Sequence, residues 1–161
     1  MSIESSIVDY KEIQSNLFHL VLVRPQIPQN TGSIARLCAS FNAVLHIVKP
    51  IGFELKDKYV KRAGLDYWSA VQVCVHESWD QYLEKMQHVK HILFTTKATK
   101  QLYEFDMTPP VALVFGSETA GLKTDVDLSN TDFPLALIPI ESAVRSINLA
   151  QSAAIGIYEA K

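Results

Sequence analysis

In the stretch VALVFGSETAGL, residues 111–122, a run of five apolar residues ends at Gly116, and a single carboxylate, Glu118, then stands between Gly116 and Gly121. Glycine admits backbone conformations closed to other residues and lets a ligand approach the main chain, so an acid held there has a ligand's polar edge within reach. A second segment, IPIESAVRSINLA, sets Ser146 and Asn148 at the start of a helical pattern. Exposed N–H groups and the helix dipole favour polar or anionic partners at such a place. Each motif also has a plain structural reading. The first is equally an ordinary strand-to-helix turn, and serine is a preferred helix N-cap whether or not it does chemistry.

A third segment, RPQIPQNTGSIAR, follows another apolar run, and all three sit where a predicted strand ends. In open α/β sheets ligands bind along that edge. The segment KDKYVKRAGLDYW places Lys58, Lys61 and Arg62 at i, i+3 and i+4 on one face of a short helix, followed by Tyr67 and Trp68. Cations for phosphates and aromatics for bases make that a nucleic-acid surface; a solvated basic face beside two core aromatics is the alternative. The five histidines, 19, 46, 76, 88 and 91, lie mostly inside or beside apolar runs without metal spacing, and are read as structural. No metal site is expected. Neither GxxxxGK[ST] nor GxGxxG occurs, which disfavours an NTPase or a Rossmann dehydrogenase.

The elements that must position these groups alternate. Apolar runs at 19–23, 44–48, 71–75, 91–95, 111–115 and 135–140 are separated by helical patterns. Because the runs are continuously apolar, they suit strands covered on both faces, and the fold class is α/β, a mostly parallel six-stranded sheet between helix layers. Ile34, Leu37, Cys38 and Phe41 form one helical stripe that Asn30 or Thr31 can cap, and Arg36 points off that stripe. The last helix is expected from about Ser146, with Gly156 marking close backbone approach to a packed neighbour, for which another subunit is a candidate. Residues 1–16 are polar and read as an extension outside the sheet, leaving 17–161 as a single domain.

With 161 residues, 48% hydrophobic and 20% charged, the chain builds one core, and its apolar runs are too short to span a membrane. Its start carries Glu4 and Asp9 and does not read as a signal peptide. Two cysteines, Cys38 in a helical pattern and Cys74 in an apolar strand pattern, fit a reducing cytoplasm. The net charge of −2 argues against holding nucleic acid by bulk charge, though a local basic patch remains open.

Together, NTGSIARLCASFNAVLHIVKPIGFELKDKYVKRAGLDYW, LVFGSETAGL and IPIESAVRSINLAQSAAIGIYEA resemble the three signature regions of the SPOUT methyltransferases, and within them the TrmL (YibK) type of tRNA ribose 2'-O-methyltransferase. The resemblance spans residues 18–160. It implies a C-terminal deep trefoil knot, S-adenosylmethionine as cofactor, an obligate homodimer with sites completed across the interface, and the wobble nucleotide of leucine tRNA anticodons as target. It also implies roles by position. Arg36, Glu118, Ser146 and Asn148 match the catalytic set. Phe94, Thr95, Gly116, Glu118, Gly121, Ile138, Ile140 and Ser146 would line the cofactor pocket, and Arg36, Lys61, Arg62 and Arg145 would meet RNA. The rivals are a non-catalytic RNA-binding homologue and a small-molecule methyltransferase on the same fold.

Overall fold

The computed structural model describes residues 3–13, 17–56, 58–64 and 67–161. Six parallel strands form one sheet: β1 (Phe18–Val23), β2 (Ala43–Val48), β3 (Gln72–His76), β4 (Lys90–Phe94), β5 (Val111–Phe115) and β6 (Leu135–Ala136), in the order β3-β2-β1-β5-β4-β6. Among the described residues three α-helices lie between strands, α1 (Pro28–Phe41), α2 (Lys58–Gly64) and α3 (Trp79–Lys85), and α4 (Leu149–Ala160) follows the last strand. Every residue of β1, β2 and β5 is buried, as continuous apolar runs require when both sheet faces are covered. Successive side chains alternate between faces. Leu20 and Leu22 join the core under α1 and α4, while Val21 and Val23 join the opposite core with Trp79 and Tyr82 of α3.

The expected α/β sheet is therefore present, and several details differ from the sequence reading. The last strand spans two residues and not six, because after Ala136 only Leu137 still pairs, bridging to Gln101. Helix α1 begins at Pro28, which needs no N–H partner at that position. Asn30 and Thr31 are buried within its first turn and are not its caps. Helix α4 begins three residues after Ser146. Its N-cap is Asn148, whose Oδ1 accepts hydrogen bonds from the N–H of Ala150 (2.8 Å) and Gln151 (3.3 Å).

Gly156 makes its close approach within the chain. A Cβ there would sit 3.2 Å from the rings of Phe94 and Phe115, which stack with centroids 4.6 Å apart. The N-terminal residues also depart from the expectation of an extension lying outside the sheet. Ile3 is fully buried in the core, and Ile7 forms a parallel bridge with Val73 on the outer edge of β3. The Val8 N–H donates to the Val73 carbonyl at 2.9 Å, and the Ser6 hydroxyl donates to the Trp68 carbonyl.

The histidines form an inner scaffold. His19, His46 and His76, one from each of three adjacent strands, are linked ring to ring by two hydrogen bonds of 2.9 Å, and His91 bonds the Tyr82 hydroxyl at 2.9 Å. All four are buried, whereas His88 is exposed. Burial disfavours the charged imidazolium. It pulls His19, His76 and His91 each down to about 4, and lowers His46 as well. Cys38 and Cys74 are free and buried, and burial pushes the Cys74 thiol up to about 12. Neither is poised as a nucleophile.

Candidate active site

The order of the sheet reverses between β1 and β5, and in open α/β sheets the carboxyl edge at such a reversal is where ligands bind. Two contacts bind together the loops that follow these strands. Arg24, at the end of β1, grips Asp125 with two hydrogen bonds, Nε to Oδ2 at 2.6 Å and Nη2 to Oδ1 at 3.0 Å. Such a paired fork is geometrically specific as well as strong.

Glu118 makes the second tie. One oxygen accepts from the Gln26 N–H at 2.7 Å; the other accepts from the Ile27 N–H at 3.0 Å and from Asn30 Nδ2 at 3.1 Å. A helix start leaves orphan N–H groups. Here a carboxylate 90 residues downstream satisfies the donors leading into α1, which explains why Ile27 contributes no side-chain cap. Asn30 then accepts from Asn148 Nδ2 at 3.0 Å. A single network thus joins the loop after β5, the start of α1 and the start of α4.

Three of the residues singled out earlier, Glu118, Asn30 and Asn148, meet in this way. With both oxygens committed to three donors, Glu118 holds loops together and does not stand free beside a reacting group. Glu118→Gln keeps the shape but turns one acceptor oxygen into an NH₂ facing a donor. It should destabilise the protein by about 2 kcal/mol and lower the melting midpoint by about 6 °C. A midpoint equal to that of the unsubstituted protein would rule out this role.

The two glycines differ. A Cβ on Gly116 would collide with the main chain of Gly121 and Leu122, so its missing side chain makes room for the protein's own backbone. The Ser117 and Gly121 N–H groups exchange hydrogen bonds with each other's carbonyls at 3.1 and 3.0 Å. Gly121 is exposed, has φ +60°, and has no atom within 4 Å of where a Cβ would lie.

The remaining candidates divide. Thr95 lies at the edge, its N–H donating to the Ala136 carbonyl at 3.1 Å and its hydroxyl accepting from the Lys97 N–H at 3.1 Å. The Phe94 ring is buried against Phe115 and α4, so only its main chain reaches the edge. Ile138 packs against the core and Ile140 is exposed. Arg145 and Ser146 are exposed on the irregular stretch before α4. Arg36 touches none of the network. It lies six residues beyond Asn30, about 9 Å further along the helix axis.

Lys61 and Arg62 are exposed in the last turn of α2. Trp68 is wholly buried, so it belongs to the core and cannot stack on a base. Sequence reasoning passed over Asn30 as a network member and missed the Arg24–Asp125 pair, since nothing local marks partners 101 residues apart.

This site and sheet define an α/β protein with its candidate site at a strand-order reversal. The model of the SpoU rRNA Methylase family matches residues 17–158, and the chain belongs to that family. It is 41% identical over 149 residues to a tRNA (cytidine(34)-2'-O)-methyltransferase of Polaromonas sp., covering 89% of each chain. A solved structure described as "Structural insights into the 2-OH methylation of C/U34 on tRNA" superposes with a TM-score of 0.84 at 38% identity, covering 91% of this chain and 95% of that one. The SpoU methyltransferase AviRb from Streptomyces viridochromogenes, in complex with the cofactor AdoMet, shares the fold, with a TM-score of 0.81 at 21% identity over 94% of this chain and 63% of that one. Membership makes the chain a methyltransferase, and the family implies the C-terminal knot.

Proposed function

We propose that this protein methylates the ribose 2'-hydroxyl of the wobble nucleotide, cytidine or modified uridine, in leucine tRNA anticodons, in the cytoplasm and with S-adenosylmethionine as donor. The observation that carries the reading is the Glu118–Asn30–Asn148 network, which fixes three chain-distant loops at one sheet edge. Relatives matched over 89% of this chain carry the name tRNA (cytidine(34)-2'-O)-methyltransferase, which supports the 2'-hydroxyl of a tRNA cytidine as acceptor.

The edge suits the donor. The space beside Gly121 admits a flat group, Ile138 and Ile140 offer apolar flanks, and residues 138–146 make one main-chain hydrogen bond among the described residues, Val144 N to Glu141 O, leaving other peptide groups for an adenine edge. When bound, S-adenosylmethionine supplies the methyl to the ribose oxygen. The chain's own task is alignment and help with the hydroxyl proton, and alignment contributes most. Glu118 and Asn148, committed to each other through Asn30, set the loops. Ser146 and Arg36 are exposed and orient the acceptor. Arginine stays protonated, so Arg36 holds the neighbouring phosphate and is not the base. Lys61, Arg62 and Arg145 supply the basic surface on a chain whose net charge gives none.

The distance of Arg36 from the network argues that it serves the site of a second copy in a homodimer, the arrangement the resemblance implies. Labelled methyl transfer to unmodified tRNA, with the modified nucleotide mapped, tests the activity itself. Incorporation at another position would refute the target. Mixing Arg36→Ala and Ser146→Ala proteins, each reduced to a small residual activity, tests the dimer: each mixed pair regains one complete site, so about a quarter of the activity should return. No recovery would show that both residues act within one protomer. Incorporation unchanged by Arg36→Ala alone would remove Arg36 from the reaction.

A further inference from the structure

Arg36 is an exposed cation whose side chain, among the described residues, makes no ion pair and no hydrogen bond, and its guanidinium meets the ring of Tyr67. The guanidinium carbon lies over the tyrosine ring, 4.8 Å from its centroid. Tyr67 is itself held. It is half-buried and opens the short 3-10 turn Trp68–Ala70, whose Ala70 N–H donates to the Tyr67 carbonyl at 2.9 Å, and the next residue, Trp68, is sunk in the core. That turn is in turn gripped by Ser6 from the N-terminal segment.

A solvent-exposed arginine otherwise samples many rotamers, and losing that freedom on binding costs affinity and alignment. Stacking on a ring uses the guanidinium's flat face and leaves its five N–H donors, which lie in the plane, unspent. The geometry points to Tyr67 as a positioning residue: the ring fixes Arg36 in one plane so that its donor edge meets the phosphate beside the acceptor ribose. The sequence reading had offered Tyr67 as a base-stacking platform, but the ring face that Arg36 covers is spent on the protein. This inference rests on the role proposed above for Arg36.

Kinetics on the full-length protein with tRNA and S-adenosylmethionine test it. Tyr67→Leu should lower kcat about fivefold with the cofactor KM unchanged, and Tyr67→Phe, which keeps the ring, should restore kcat to within about twofold. In an Arg36→Ala background Tyr67→Leu should have no further effect. Should Tyr67→Leu lose cofactor binding or fold, a series with increasingly fluorinated phenylalanine at 67 keeps the ring's shape while draining its face of negative charge, and kcat should fall along the series. A flat series, or a Tyr67→Leu loss undiminished by Arg36→Ala, overturns the inference. If Arg36→Ala itself leaves methyl transfer intact, the proposed role of Arg36 fails first. If Arg36→Ala cuts transfer severely while both Tyr67 substitutions are silent, only the present inference fails.

Discussion

Gly116→Ala is expected to cost at least about 3 kcal/mol of stability and to abolish cofactor binding, although it adds one methyl group. The methyl would be driven into the Gly121 carbonyl and the Leu122 nitrogen, and main-chain atoms cannot swing aside as a side-chain tip can. To relieve the collision the loop must open. That breaks the paired Ser117 and Gly121 hydrogen bonds and swings Glu118 away from Gln26, Ile27 and Asn30. The control is Gly121→Ala, where the space is open and only the left-handed backbone is penalised, at about 1 kcal/mol. Denaturant unfolding and cofactor titration of the two variants check the contrast. Equal, mild effects would mean that the crossing of backbones at Gly116 is not what shapes the loop.

The second large effect is with pH. An unfolded histidine takes a proton near 6.5, whereas burial holds His19, His76 and His91 at about 4 and also lowers His46. Between those values the unfolded chain binds more protons than the folded one. Stability is therefore whole above pH 6.5 and falls as the pH drops toward 4. At pH 5 the loss is about 2 kcal/mol for each of the three held near 4, about 6 kcal/mol together, and His46 acts in the same direction, so they consume most of the stability of an ordinary domain.

The geometry agrees with that direction. A row of three neutral imidazoles with two N–H···N bonds accommodates one extra proton with its outer nitrogens both protonated, but a second must break a bond. The outer nitrogen Nδ1 of His76 is buried with no partner in the described structure, so even the first is unwelcome. Urea unfolding at pH 7.5, 6 and 5 should show a steep decline with an acid midpoint near 5. A free energy of unfolding that stays level over this range would mean that the rings are not buried as neutral species.

How far the fold could be read in advance depended on whether each element's cause is local. Five of the six strands are mainly apolar runs, broken chiefly by histidines that are themselves buried, and covering both faces of a sheet demands that composition wherever the strand falls in the order. The sixth pairs with β4 only through Leu135 and Ala136, and nothing in the apolar run Leu135–Ile140 marks where that pairing stops. The start of α1 was misplaced because its cap comes from Glu118, and a cap supplied from another loop has no signature near the helix. At α4 the signal was ambiguous: Ser146 and Asn148 are both good caps two residues apart, and only the hydrogen bonds to Ala150 and Gln151 decide between them. The histidines could be recognised as interior residues. Their joining into a row could not, since it depends on the register of three strands. Of the candidate site, the motif glycines and polar residues were visible, while the division of labour between loop-fastening and exposed groups appeared only with the contacts.

The N-terminal bridge to β3 has a consequence for how the molecule behaves in company. Strand rims carry unpaired peptide groups that invite strands from other molecules, a route to swapped or fibrous assemblies. Here one rim is occupied by the chain's own Ile7 and Val8, and the other offers a strand of only two residues. A crowded solution of these molecules finds little ladder on which to grow.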